Sequence, residues 1–174
     1  MKLEEIYRLA VTMGIKADPR GKREVDRLLA KEKEAFDKLS DGEKEDYDQE
    51  RLTNPFADSR MLYGDPKTDV WSIMVGVDME AQELLLADRL KEKGRKVDLV
   101  LAHHPEGKAL AALSEVMDVQ ADVWHNAGVP INVGEAMLEG RISEVMRLML
   151  PLNHQRPVQA AELLDIPLMC VHTP

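Results

Sequence analysis

Val70-Trp-Ser-Ile-Met-Val-Gly-Val-Asp78 and Val97-Asp-Leu-Val-Leu-Ala-His-His-Pro105 are the two stretches that decide the fold. Each is a short, almost continuous apolar run, rich in β-branched residues in the first case, as expected of a strand buried on both faces. Between them Ala81, Leu84, Leu85 and Leu90 recur at helical spacing, and Gly94 supplies a helix stop. Strand, helix, strand makes a β-α-β unit, so the two strands are expected to run parallel. Both then end on one edge of the sheet, where open α/β sheets keep their sites. Asp78 and His103 would face the same crevice.

A third apolar run, Ile166-Pro-Leu-Met-Cys-Val171, is followed by His172-Thr173-Pro174. If it joins the sheet in parallel, His172 lands on the same edge. Residues 108–165 read as mostly helical, with one stripe at Leu110, Leu113, Val116 and Met117 and another at Ile142, Val145, Met146 and Met149. Pro157 suits the first turn of a last helix, where its missing N–H costs nothing.

Residues 1–60 also read as helical. Leu3, Ile6, Leu9, Ala10 and Met13 form a stripe with Gly14 as its stop. Asp18-Pro-Arg-Gly21 is a turn, and Val25, Leu28, Leu29, Phe36 and Leu39 mark a charged amphipathic helix. Ser40-Asp-Gly-Glu43 has capping-box spacing for a short third helix, which Asn54-Pro55 ends. The expected organisation is α/β: a helical N-terminal extension over residues 1–66, then an α/β domain over 67–174 with a mostly parallel sheet.

The 174 residues carry a net charge of −9, and residues 1–60, with 13 basic and 15 acidic side chains, account for only −2 of it. So acidic a chain lacks the positive patch that nucleic-acid or membrane-surface binding needs. No apolar run approaches the roughly 18 residues of a membrane span. Aromatics make up 4% of the chain, so Leu, Val, Ala and ten Met must fill the core. The single cysteine, Cys170, sits in an apolar run and forms no disulfide within the chain, which points to a reducing, cytoplasmic setting.

Adjacent histidines at a strand end are the main chemical signal. Imidazole is the commonest protein metal ligand. His103 and His104 can converge if the strand ends between them, and Pro105 keeps His104 extended. Two ions roughly 3.5–4 Å apart could then take one histidine each. Mixed imidazole and carboxylate ligation suits zinc, iron or manganese. Alternatively, one histidine packs at the strand end and the other is simply exposed. Asp78 and Glu106 are the nearby carboxylates, suited to ligation, to orienting a histidine or to general-base work, although Asp78 directly precedes a helix and could cap it. His125 and His154 lack a partner pattern. No glycine-rich phosphate loop and no nucleophile elbow occurs, and Gly94 and Gly107 stand alone.

Val75-Gly-Val-Asp78, a helix, Asp98-Leu-Val-Leu-Ala-His103-His104-Pro105 and later Val171-His172-Thr173 together resemble the NGG-one-interacting-factor-three family, whose members also carry the label GTP cyclohydrolase I type 2 homologue. The likeness covers residues 70–107 well and 166–173 in outline. It implies an α/β fold of that type with a dinuclear centre of divalent transition metal, often in a toroidal homo-hexamer. His103 and His104 are the implied metal ligands, and His172 the implied catalytic residue lining the same site, orienting substrate or relaying a proton. The implied function is a hydrolase-like one, of cyclohydrolase or phosphoester class, on a small nucleotide-like substrate. Lys108 and Arg141 are candidate cations for its phosphates. The alternative is a metal-binding scaffold or regulatory interaction protein without turnover, and a third reading is a folded chain without metal. In the family further ligands follow the His-Thr motif, so the chain is expected to be the front portion of a longer protein, its sheet ending on an exposed third strand.

Overall fold

A computed structural model describes residues 1–174. The elements run α1 (Leu3–Ala17), α2 (Lys22–Asp37), α3 (Asp41–Glu45), β1 (Arg60–Tyr63), β2 (Ile73–Gly76), α4 (Ala81–Glu92), β3 (Leu99–Ala102), α5 (Gly107–Ala111), α6 (Val119–Asn126), α7 (Ile131–Met149), α8 (Arg156–Leu164) and β4 (Leu168–Cys170). The sheet order is β1-β4-β3-β2. β2 pairs with β3 and β3 with β4 in parallel, while β1 is antiparallel to β4. The fold is therefore α/β with a mostly parallel sheet. No helix is long and apolar enough to cross a membrane.

Strand alternation divides the core. Val100, Ala102, Leu168 and Cys170 point to one face, where Leu84 and Ala87 of α4 and Ala161 of α8 cover them. Leu99 and Met169 point to the other, against Leu3, Tyr7 and Val11 of α1. A strand covered on both sides has no polar face to show, which is why Leu99–Ala102 reads as a continuous apolar run. Gly94, at φ 77°, turns the chain after α4, and the Ser40–Glu43 capping box forms. Pro157 stands in the first turn of α8.

Several expectations change. The run from Val70 to Val77 is not buried on both faces. β2 is an edge strand, and α1 reaches this run only at Val70, so Trp71, Val75 and Val77 stay 84%, 65% and 55% exposed. The third predicted strand is not the exposed edge either: β4 is interior, because β1 lies outside it. β1 itself falls within a stretch read as helix and turn, and the expected boundary at residue 66 lies in the loop between β1 and β2. Gly14 does not stop α1, which continues to Ala17. It lies on the buried face, where a Cβ would come within 2.6 Å of Pro174 Cα and 2.9 Å of Phe56 Cε2. The buried face of α1 is accordingly Leu3, Tyr7, Val11 and Gly14, and Leu9 and Met13 are exposed.

Candidate metal centre

The parallel strands end on one edge, and each is followed there by a candidate site residue: Asp78 after β2, His103 and His104 after β3, His172 after β4. The sheet ladder continues past the last strand residues: the His103 N–H donates to Gly76 O at 2.9 Å, the His104 N–H to Val77 O at 2.8 Å, and the Val171 N–H to Ala102 O at 3.0 Å. Backbone pairing thus fixes His103 and His104 directly and His172 through its neighbour Val171. Their side chains meet. The rings of His103 and His172 are stacked with centroids 4.8 Å apart. His103 and His104 are 5.4 Å apart, and His104 and His172 are 6.0 Å apart. One ring nitrogen from each lies within 4.8 Å of the others. The adjacent histidines converge because the strand ends at Ala102, which releases them from strict alternation.

Each ring has an oxygen neighbour at Nδ1. His104 Nδ1 is 2.6 Å from Asp78 Oδ1, His172 Nδ1 is 2.9 Å from Asp58 Oδ2, and His103 Nδ1 is 3.4 Å from Val171 O. A carbonyl or carboxylate oxygen only accepts, so each Nδ1 is the donor and each Nε2 keeps its lone pair when the ring is neutral. Metal-binding histidines characteristically donate their second N–H to a carboxylate or carbonyl, so this donor set fits a divalent transition metal of the zinc, iron or manganese type. Asp78 does not cap α4. That position belongs to Glu80, whose N–H donates to Glu83 Oε2 at 2.9 Å.

Beside His104 and His172 opens a cleft of about 450 Å³. Its polar lining includes Asp78, Glu80, Glu106 and Arg156, and Leu110, Leu113, Met149 and Leu152 supply an apolar part. Glu106 is 7% exposed. Burial, with added repulsion from Glu80 and Asp78, pushes its carboxyl up to about 7, against the opposing pull of Arg156 and His104. Arg156 pairs with Glu80. The two cations suggested by sequence are engaged elsewhere: Lys108 Nζ contacts Asp48 at 2.9 Å and Glu50 at 2.5 Å, and Arg141 pairs with Glu144 on α7. His125 and His154 stay apart from the cluster, their rings directed at Val129 O and Met149 O.

Asp58 and Arg156 escaped the sequence reading. Asp58 sits in no recognisable motif, and Arg156 is an isolated charge before Pro157 that no spacing ties to the histidines. The signal that would have found Asp58 is the antiparallel pairing of β1 with β4, which short, irregular β1 does not advertise.

No protein-family model matches the chain, and no curated protein sequence does. The structure is similar to the crystal structure of a NIF3 superfamily protein from Sphaerobacter thermophilus, at 29% sequence identity and a TM-score of 0.60. The match covers 67% of this chain and 40% of that one.

Proposed function

We propose that this chain, which has a NIF3-like fold and three histidines that could bind a metal ion at the carboxyl edge of its sheet, is a divalent-metal-binding protein of hydrolase-like chemistry. The observation that carries this reading is the convergence of His103, His104 and His172 with an oxygen acceptor behind each ring. His103 and His104 hold the metal, and the family resemblance makes the count two ions. Asp78 keeps the His104 ring oriented. When bound, such an ion acts as a Lewis acid and ionises water near neutral pH. His172 faces the cleft, where it orients the substrate or relays a proton. Arg156, the one Lys or Arg in the cleft lining, suits an anionic group that would take the place of Glu80 beside it, while Leu110, Leu113, Met149 and Leu152 suit a flat apolar ring, together a small nucleotide-like molecule. The free, buried thiol of Cys170 supports a reducing, cytoplasmic setting.

A second reading, a metal-stabilised scaffold in a homo-oligomer, is favoured by the exposed apolar face at Trp71, Val75 and Val77, since contiguous apolar surface marks contact sites. Elemental analysis of the purified chain beside a His103→Ala/His104→Ala double variant tests the metal. About two equivalents of transition metal in the parent, lost in the variant, support the dinuclear reading and justify a screen of nucleotides and phosphoesters. No metal after reconstitution refutes it. Metal without turnover of any of these substrates favours the scaffold.

A further inference from the structure

Asp58 is completely buried, and a buried carboxylate is costly unless its oxygens are bonded. No Lys or Arg lies within ion-pair distance; its one charged-type partner is His172. The Thr173 hydroxyl donates to Oδ2 at 2.5 Å and the Ser59 hydroxyl to Oδ1 at 3.2 Å. The loop that carries Asp58 is itself braced. Asn54 Nδ2 donates to Ser59 O at 2.7 Å, and Arg60 Nη1 donates to Phe56 O and Ser59 O at 2.6 and 2.7 Å. The backbone register explains the pairing: Arg60 lies opposite Cys170 in the antiparallel ladder, so extending the count by two in each direction sets Asp58 opposite His172. The same segment grips His172 twice, because the His172 N–H donates to Ser59 Oγ at 2.9 Å.

We propose that Asp58 is the positioning residue of this site. It fixes His172 as the Nδ1–H tautomer and leaves Nε2 with its lone pair beside His103 and His104, a third nitrogen that can bind the same ion. Asp58 touches neither metal nor substrate and acts only through His172. The inference rests on the reading that the three histidines form one functional centre. It goes further in assigning His172 a fixed tautomer and in naming the buried group that sets it, a group on a strand-entry loop far from the histidine motifs in sequence.

The test uses the whole chain, labelled with ¹⁵N and stripped of metal, and zinc alone as the probe. Long-range ¹H–¹⁵N correlation reads the tautomer of His172, and competition titration reads zinc affinity. The unmutated chain is expected to show His172 protonated at Nδ1. In Asp58→Asn the amide can donate to Nδ1, so protonation moves to Nε2 and zinc affinity falls by about 10- to 100-fold. Thr173→Val removes a different bond to the same carboxylate and is expected to leave the tautomer in place, separating the carboxylate's role from the packing of the loop. An Nε2–H tautomer in the unmutated chain overturns the proposal, as does Asp58→Asn with tautomer and affinity unchanged, or a Thr173→Val shift as large as that of Asp58→Asn. Should Asp58→Asn not fold, the tautomer of the unmutated chain decides. A chain that binds no zinc but shows Nδ1–H at His172 refutes the metal reading and leaves the Asp58 assignment standing.

Discussion

Gly107→Ala is expected to destabilise the protein by about 2–5 kcal/mol, the sum of two separable costs. Gly107 has φ 55°, in the left-handed region where a Cβ costs about 1–2 kcal/mol. That Cβ would also lie 2.7 Å from Val158 Cγ2 on α8 and 3.2 Å from Leu62 Cδ2 on β1. Overpacking of this kind costs about 1–3 kcal/mol. Two other glycines isolate the components. Gly94 has φ 77° with nothing within 4 Å of its Cβ position, so Gly94→Ala carries backbone strain alone, about 1–2 kcal/mol. Gly140 lies inside α7 with open space around it and no unusual φ. There alanine should stabilise, by about 0.8–1.0 kcal/mol, through helix propensity. Urea denaturation of the three variants measures the differences, and thermal midpoints should follow at roughly 2–4 °C per kcal/mol for a chain of this size. Gly107→Ala no costlier than Gly94→Ala would refute the close approach of the His104-Pro105-Glu106-Gly107 turn to α8. A destabilised Gly140→Ala would refute the exposed position of that turn of α7.

Acid stability is the second expectation. Burial opposes ionisation of Asp48, but Arg60 and Lys108 outweigh it and hold the carboxyl below its ordinary range. A folded pKa depressed in this way contributes stability that is present above the unfolded value, about 3.9, and is lost as pH falls through the folded value. Urea midpoints of Asp48→Asn should therefore fall less steeply than those of the parent below about pH 4, and parallel acid limbs would contradict the assignment. Third, burial pushes the Cys170 thiol up to about 11, and the thiolate is the reactive form. Iodoacetamide at pH 8 should leave it unmodified until the protein unfolds; labelling at the rate of a free thiol would mean that β4 is not interior.

Much of the site was legible because its signals are local. Apolar runs bounded by Asp78 and His103, a helical repeat between them and Gly94 at its end are enough to set a β-α-β unit. The rule that parallel strands share their carboxyl ends then brings His103 and His172 to one edge without further information. The phase of α1 shows where such reasoning stops. Spacing alone favours Leu9, Ala10 and Met13 as well as Leu3 and Ile6. The face that is buried is chosen by what lies beneath it, Val70, Leu99 and Met169, and by the need for a side chain no larger than hydrogen at Gly14, where Pro174 approaches. Neither constraint is adjacent in sequence to the helix it acts on.

Burial is the same problem at a larger scale. Val70–Val77 and Val97–Ala102 are both predominantly apolar runs, yet the second is central and the first is an edge with Trp71 and Val75 exposed. An apolar run reports that a strand tolerates burial on both faces, and strand order is decided by which other segments arrive. Here the arriving segment is β1, four residues whose Arg60-Met-Leu-Tyr63 pattern shows no clean alternation and whose pairing shifts register between Met61 and Tyr63. Once β1 is placed against β4, Asp58 ceases to be one of 32 acidic residues and becomes the side chain opposite His172. A buried acid whose only ionisable partner is an imidazole is held there against its desolvation cost. The pairing is therefore better explained by what it does to the histidine than by any stability the carboxylate adds.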